Sequence, residues 1–136
     1  MAHILVVDDE QGNREVMLAL LREAGYSVHA ASNGTQALAQ LETQVSDLLI
    51  TDMHMPLMDG IELISQCRQL YPQLAVVAVS GGNWTGDTAE LAHAGLMGAV
   101  ETIQKPYDVE DLLGAVERAL GRPEPVGELN LAVDGK

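Results

Sequence analysis

The chain has 136 residues, which is enough for one domain with a sizeable hydrophobic core. Its twenty acidic residues outnumber its seven lysines and arginines, and the resulting net charge of −13 disfavours binding to nucleic acid or to an anionic membrane. Cys67 is the single cysteine and the N-terminal apolar run is too short for a signal peptide or a membrane span, so we expect a soluble protein of the cytoplasm.

Short apolar runs alternate with amphipathic segments along the chain. The helices are predicted from apolar residues that repeat at i,i+3 or i,i+4, and glycine or proline follows several of them as a stop signal. In chain order, the predicted elements are a strand at 3–7, a helix at 13–24, a strand at 28–32, a helix around 37–41, a strand at 47–51, a helix around 61–70, a strand at 74–79, a helix at 87–96, a strand at 99–103 and a helix between Asp108 and Gly121.

This alternation predicts an α/β fold. The first, third and fourth strands are continuous apolar runs, as expected for parallel strands that are covered on both faces. Five strand–helix units with short connections indicate a three-layer sandwich around a five-stranded parallel sheet. We assign residues 1–121 to this domain and expect 122–136, which contain proline, glycine and several acids, to form a flexible acidic tail.

Polar residues follow four of the predicted strands. Asp8 and Asp9 come after the first strand, Asp52 after the third and Ser80 after the fourth. Lys105, the only lysine before the last residue of the chain, comes shortly after the fifth. Because the carboxyl ends of parallel strands lie at one edge of a sheet, these side chains are expected to meet there.

Such a group of residues is suited to phosphoryl transfer. Neighbouring carboxylates repel one another unless one is protonated or a cation binds, and a few carboxylates with open water positions suit Mg²⁺. A carboxylate can also act as a nucleophile and form an aspartyl phosphate. Lys105 and Ser80 would then bind the remaining oxygens of the transferred group.

The same residues lie in five short motifs that resemble a known family. The motifs are VVDDE at 6–10, TDMHMP at 51–56, MDG at 58–60, VSG at 79–81 and KPY at 105–107. In their order and spacing they resemble the receiver domain of two-component response regulators over about residues 2–121, and a stand-alone, chemotaxis-type regulator in particular. The resemblance implies a flavodoxin-like sheet with the strand order 2-1-3-4-5.

The resemblance also implies roles for the acidic residues. Asp52 would be the phosphoacceptor. Asp9 would bind Mg²⁺ directly, Asp8 would assist mainly through water, and Asp52 and the main-chain carbonyl of His54 would complete the protein ligands. Taken singly, the acidic pair could instead cap a helix and Asp52 could be an ordinary loop acid, so this interpretation depends on their joint placement.

A second set of residues would bind the phosphoryl group and form the switch. The resemblance assigns phosphate binding to Ser80 and Lys105 and allows a cis peptide bond between Lys105 and Pro106. Many receivers carry tyrosine or phenylalanine three residues before the lysine, whereas Thr102 occupies that switch position here. His54 and Gly82 occupy the two variable positions that influence attack by water, and we expect them to tune dephosphorylation.

Three functions remain open from the sequence. The first is a phosphorylation switch that is not an enzyme, accepts a phosphoryl group from a sensor histidine kinase or a histidine phosphotransfer protein, and acts through protein contact or onward phosphotransfer. The second is a non-phosphorylated pseudo-receiver that serves as a constitutive binding module. The third is a phosphatase like the haloacid dehalogenases, which the sequence disfavours because those enzymes use Asp-x-Asp, whereas Asp8 begins an Asp-x-Glu.

Overall fold

The computed structural model describes residues 2–53, 58, 60–80, 95 and 98–121. The elements in these ranges are β1 (His3–Val7), α1 (Gln11–Glu23), β2 (Ser27–Ala31), α2 (Gly34–Thr43), β3 (Leu48–Asp52), α3 (Gly60–Leu70), β4 (Ala75–Ser80), β5 (Glu101–Gln104) and α4 (Val109–Gly121). The strands are all parallel and form one sheet in the order β2-β1-β3-β4-β5. Both the α/β class and the flavodoxin-like strand order are therefore confirmed.

The sheet separates two hydrophobic cores, because successive residues of a strand face opposite sides. On one face, Val6 packs in a cluster with Leu112 and other residues of α1 and α4. On the other face, Leu5 packs in a cluster with Leu63 and other residues of α2 and α3. β3 and β4 are fully buried and β1 is buried except at His3, so these strands lie between two helical layers, which is the predicted three-layer sandwich.

Several strand boundaries differ from the predicted ones by one or two residues. The first strand has the predicted bounds, but β3 and β4 each extend one residue further, so that Asp52 and Ser80 are the last residues of their strands. The last strand begins at Glu101 rather than at 99, shortly after a turn at Gly98, whose φ is +130°. Apart from residue 95, the predicted helix at 87–96 lies outside the described residues, as does the tail at 122–136.

Side chains cap two of the helices. The main-chain N–H of Gln36 donates to Asn33 Oδ1 at the start of α2. At the start of α4, the N–H of Asp111 donates to Asp108 Oδ1 and the N–H of Asp108 donates to Asp111 Oδ2, which confirms the predicted cap at Asp108. No helix among the described residues has the length and apolar character needed to cross a membrane.

Candidate functional site

Three carboxylates meet at the carboxyl edge of the sheet. Asp8 directly follows β1, Asp9 comes next, and Asp52 ends β3, which lies beside β1. One carboxylate oxygen from each lies within 4.8 Å of the others. Asp8 and Asp52 are only 5% and 7% exposed, whereas Asp9 is exposed. The structure therefore brings together the three aspartates that were expected to meet from their positions after strands.

Lys105 provides a positive charge for this cluster. Its Nζ lies 3.4 Å from Oδ2 of Asp52 and 3.5 Å from Oδ2 of Asp8. Two carboxylates about 4 Å apart repel by about 4 kcal/mol at a surface-like dielectric, and a nearby cation offsets this repulsion. Burial alone would lower the pKa of Lys105, but the charges of Asp52 and Asp8 outweigh burial and raise it. The ammonium is therefore charged throughout the physiological pH range.

The donor set of the cluster fits a hard divalent cation. Its three members offer carboxylate oxygens and no sulfur or nitrogen, and the exposed position of Asp9 leaves one side open to water. Mg²⁺ prefers oxygen ligands, uses one or two carboxylates in most protein sites and retains several waters. Asp8, Asp9 and Asp52 could thus hold Mg²⁺ while leaving coordination positions for a phosphoryl oxygen.

The chain around Asp52 is fixed by backbone contacts. The N–H of Met53 donates to the carbonyl of Val79 on β4, and the N–H of Gly60 donates to the carbonyl of Met53. A Cβ at Gly60 would lie 2.6 Å from the carbonyl oxygen of Asp52, so that α3 can begin this close to β3 only with glycine there. The start of α3 is therefore packed directly against the main chain that carries Asp52.

Ser80 and Lys105 are neighbours at the same edge. In the ladder between β3 and β4, Asp52 pairs with Val79, and Ser80 is the next residue along β4. Ser80 is 1% exposed, and its carbonyl accepts a hydrogen bond from the N–H of Lys105. The peptide bond between Lys105 and Pro106 is cis, as the resemblance allowed.

Not every predicted site residue joins the cluster. Thr102 is exposed on β5, where it lines a surface groove together with Glu110 and Arg118 of α4. His54 and Gly82 lie outside the described residues, so the metal-binding role predicted for the His54 carbonyl and the tuning role predicted for both residues stay predictions.

One residue of the site was missed in the sequence. Arg14, in the first turn of α1, donates from Nη1 to the main-chain carbonyl of Asp8 at 2.7 Å. Its signal was a basic residue six positions after Asp8, in a helix that begins directly after the acidic pair.

Comparisons with known proteins agree with this geometry. The family model described as the response regulator receiver domain matches residues 4–117. NtrC of Salmonella typhimurium, a DNA-binding transcriptional regulator, is 32% identical over 133 residues, which are 97% of this chain and 28% of NtrC. The transcriptional regulatory protein ZraR of Escherichia coli K12 is 34% identical over 123 residues, which are 90% of this chain and 27% of ZraR. The chain therefore spans little more than a quarter of the length of these curated relatives.

Solved structures show the same fold. A response regulator receiver domain protein from Clostridium thermocellum superposes with a TM-score of 0.82 at 34% identity, over 90% of this chain and 96% of that protein. NtrX from Brucella abortus, solved in complex with ADP, superposes with a TM-score of 0.84 at 30% identity, over 98% of this chain and 29% of NtrX. The present chain thus belongs to the response regulator receiver domain family of two-component systems.

Proposed function

We propose that this chain is a phosphorylation switch in which Asp52 accepts a phosphoryl group from a sensor histidine kinase or a histidine phosphotransfer protein. The observation that carries the proposal is the position of the Lys105 ammonium, 3.4 Å from Oδ2 of Asp52, at the edge where three carboxylates meet. Membership of the receiver family supports the proposal, because receivers act in two-component signalling with histidine kinases as partners.

The chemistry follows from the roles of the side chains. A carboxylate oxygen of Asp52 attacks the phosphorus of a phosphohistidine, so that an O–P bond forms, the P–N bond breaks and the electron pair stays on the histidine nitrogen. Asp8, Asp9, Asp52 and the main-chain carbonyl of His54 would hold Mg²⁺, which supplies neutralising charge for the phosphoryl oxygens. Lys105, which already faces Asp52, binds one of these oxygens.

Phosphorylation would then shift the equilibrium between two conformations. Ser80, which ends β4 beside β3, and Lys105, which faces Asp52, would donate hydrogen bonds to the new phosphoryl oxygens. Moving a switch from about 1:99 to 99:1 requires roughly 5.5 kcal/mol, and two or three charge-assisted hydrogen bonds of about 1.5–3 kcal/mol each can supply it. Thr102 lies on the exposed side of β5, where we propose that it transmits the change to an output protein.

We propose a protein partner or onward phosphotransfer as the output of this segment, in the cytoplasm. The net charge of −13 disfavours direct binding of this segment to nucleic acid or to an anionic membrane. NtrC is named as a DNA-binding regulator, but this chain matches only about a quarter of it, so DNA binding belongs to the description of that whole protein. We also propose that His54 and Gly82 set the lifetime of the phosphoryl group; an unchanged lifetime in His54→Ala at several pH values would contradict the role of His54.

The direct test is incorporation of phosphate from acetyl phosphate with Mg²⁺. We expect wild type to be labelled and Asp52→Asn to show no labelling, because the amide cannot act as the nucleophile. Asp47→Asn is the matched control, since Asp47 is an exposed carboxylate beside the opposite end of β3. Undiminished labelling of Asp52→Asn would remove Asp52 as the acceptor.

A constitutive binding module is the second candidate. Thr102 favours it, because many receivers carry an aromatic residue at this position. The close approach of Lys105 to Asp52 and Asp8 argues against it, since a module without phosphorylation has no use for a charged site of this kind. Absence of labelling in wild type with Mg²⁺ present would favour the binding module, and repeated turnover of a small phosphate ester would instead indicate a phosphatase.

A further inference from the structure

The turn between β1 and α1 carries two of the three carboxylates of the acid cluster. Asp8 is buried and Asp9 is exposed. The two residues are consecutive, so the main chain of this short turn sets the positions of both carboxylates. Because these carboxylates repel Asp52, the turn must be held by other contacts if it is to keep them in place. The contacts of Asp8 show which groups hold it.

Each polar group of Asp8 has a partner from a different part of the structure. Its N–H donates to the carbonyl of Ala31 in β2, and its Oδ1 accepts the N–H of Glu10 within the turn. Its Oδ2 faces Lys105. Its carbonyl accepts a hydrogen bond from Nη1 of Arg14, 2.7 Å away.

The carbonyl of Asp8 lies beyond the regular sheet. The ladder between β1 and β3 ends at the pair of Val7 and Thr51, one residue before Asp8. A nearly buried carbonyl at that position needs a donor from elsewhere, and α1 supplies it through Arg14. The length of the bond is typical of a charge-assisted hydrogen bond, and guanidinium keeps its charge at every accessible pH.

From this contact we infer that Arg14 is a positioning residue for cation binding, which ties α1 to the main chain of Asp8 and so keeps Asp8 and Asp9 directed at Asp52. The inference deepens the proposed function, on which it rests for the identity of the cation. Residues that orient metal ligands typically change metal affinity 10- to 100-fold when they are replaced.

A purely electrostatic role for Arg14 would change the Mg²⁺ affinity in the opposite direction. A guanidinium bonded to the main chain of Asp8 would repel a divalent cation bound by the cluster, so removing only its charge would tighten Mg²⁺ binding. Loss of the contact that positions Asp8 and Asp9 would instead weaken Mg²⁺ binding. The direction of the change in Mg²⁺ affinity therefore separates the two roles.

The test compares three variants of the full chain by urea unfolding at increasing Mg²⁺ concentration. Arg14→Met removes the donor and the charge, and Arg14→Lys keeps a charged donor. Arg22→Met, the matched control, removes the charge of an exposed arginine in the last turn of the same helix. Stability without Mg²⁺ reports any general structural role, whereas the added stability with Mg²⁺ gives the dissociation constant of the cation.

We expect Arg14→Met to raise the dissociation constant for Mg²⁺ about tenfold, Arg14→Lys to restore most of the affinity, and Arg22→Met to change it less than about twofold. In labelling by acetyl phosphate, Arg14→Met should need more Mg²⁺ for half-maximal rate and reach a similar rate at saturation. Mg²⁺ affinity that is unchanged or tighter in Arg14→Met would overturn the inference. If Arg14→Met does not fold, Arg14→Gln replaces it with the same outcomes.

These measurements also separate this inference from the proposed function. Wild type that binds Mg²⁺ but takes up no phosphate would refute the phosphorylation switch and leave the role of Arg14 to be decided by the Mg²⁺ titration. Wild type that is labelled, together with Arg14→Met that binds Mg²⁺ normally, would refute the role of Arg14 and leave the switch in place.

Discussion

Replacing Lys105 with methionine removes the ammonium from the acid cluster and keeps a side chain of similar length. Asp8 and Asp52, both nearly buried, would then face each other without the cation that lies 3.5 and 3.4 Å from them. Each of these ion pairs corresponds to about 5 kcal/mol of attraction at a surface-like dielectric, offset by the cost of removing the charges from water. Removing one partner of a buried ion pair typically costs about 3–5 kcal/mol.

The expected loss of folding stability in Lys105→Met lies somewhat below this range of about 3–5 kcal/mol. The side chain of Lys105 is 18% exposed and both distances are long for an ion pair, so water screens part of the attraction. We therefore expect the free energy of unfolding to fall by about 2–3 kcal/mol, measured by urea unfolding at pH 7.5 with EDTA present. The matched control is Arg118→Met, which breaks the ion pair with Glu101 at a 56% exposed arginine and should cost less than about 1 kcal/mol.

The pH dependence of this loss has a defined sign. The carboxylates raise the pKa of Lys105 in the folded protein above its value in the unfolded chain. The stability contributed by this shift is therefore fully present below the unfolded value, about 10.4, and disappears as the pH rises through the folded one. The difference between wild type and Lys105→Met should be constant from pH 7 to 9 and shrink above about pH 10.4. A loss no larger than that of Arg118→Met at pH 7.5 would refute the electrostatic reasoning.

Two further predictions concern backbone packing and the buried thiol. Gly60→Ala should lower the free energy of unfolding, measured in urea, by about 2 kcal/mol or more, because its Cβ would collide with the carbonyl of Asp52. The Cβ of Gly12→Ala meets nothing within 4 Å, so this control should stabilise α1 by about 0.5 kcal/mol. Equal effects of the two changes would contradict this reasoning. Burial raises the pKa of Cys67 from 9.0 to about 11. This shift corresponds to about 3 kcal/mol in the free energy of unfolding, which is fully present below pH 9 and is lost as the pH rises to about 11. Wild type should therefore lose more stability than Cys67→Ala between pH 8 and pH 11, and an equal loss in the two proteins would count against it.

The sequence predicted the class of the fold and the edge where the site lies, because both follow from one-dimensional patterns. Apolar runs marked β1, β3 and β4, and a polar residue at the end of each run placed Asp8, Asp52 and Ser80 at the same edge. The strand order came from the resemblance of short motifs, since periodicity alone does not say which strands are neighbours.

Other features could not be predicted because they depend on how elements that are distant in the sequence pack against each other. The one-residue extension of β3 and β4 is set by pairing between strands, as in the pair of Asp52 with Val79. The contact of Arg14 with Asp8 depends on the angle at which α1 leaves the turn, which helical periodicity does not describe.

The extension of β3 and β4 has a consequence for how the site works. Asp52 and Ser80 belong to strands whose main chains are fixed by the ladder, and the Lys105 N–H is bonded to the Ser80 carbonyl, so the groups proposed to contact the phosphoryl oxygens are held by the sheet itself. A site built on strands keeps its geometry better than one built on loops. Asp8 lies just past the end of β1, where the ladder no longer fixes the carbonyl, and there Arg14 supplies the missing contact. Among the described residues, the contact of Arg14 therefore supports a corner of the site that lies beyond the sheet. For this reason a change in that helix should alter cation binding more than chemistry at saturating Mg²⁺.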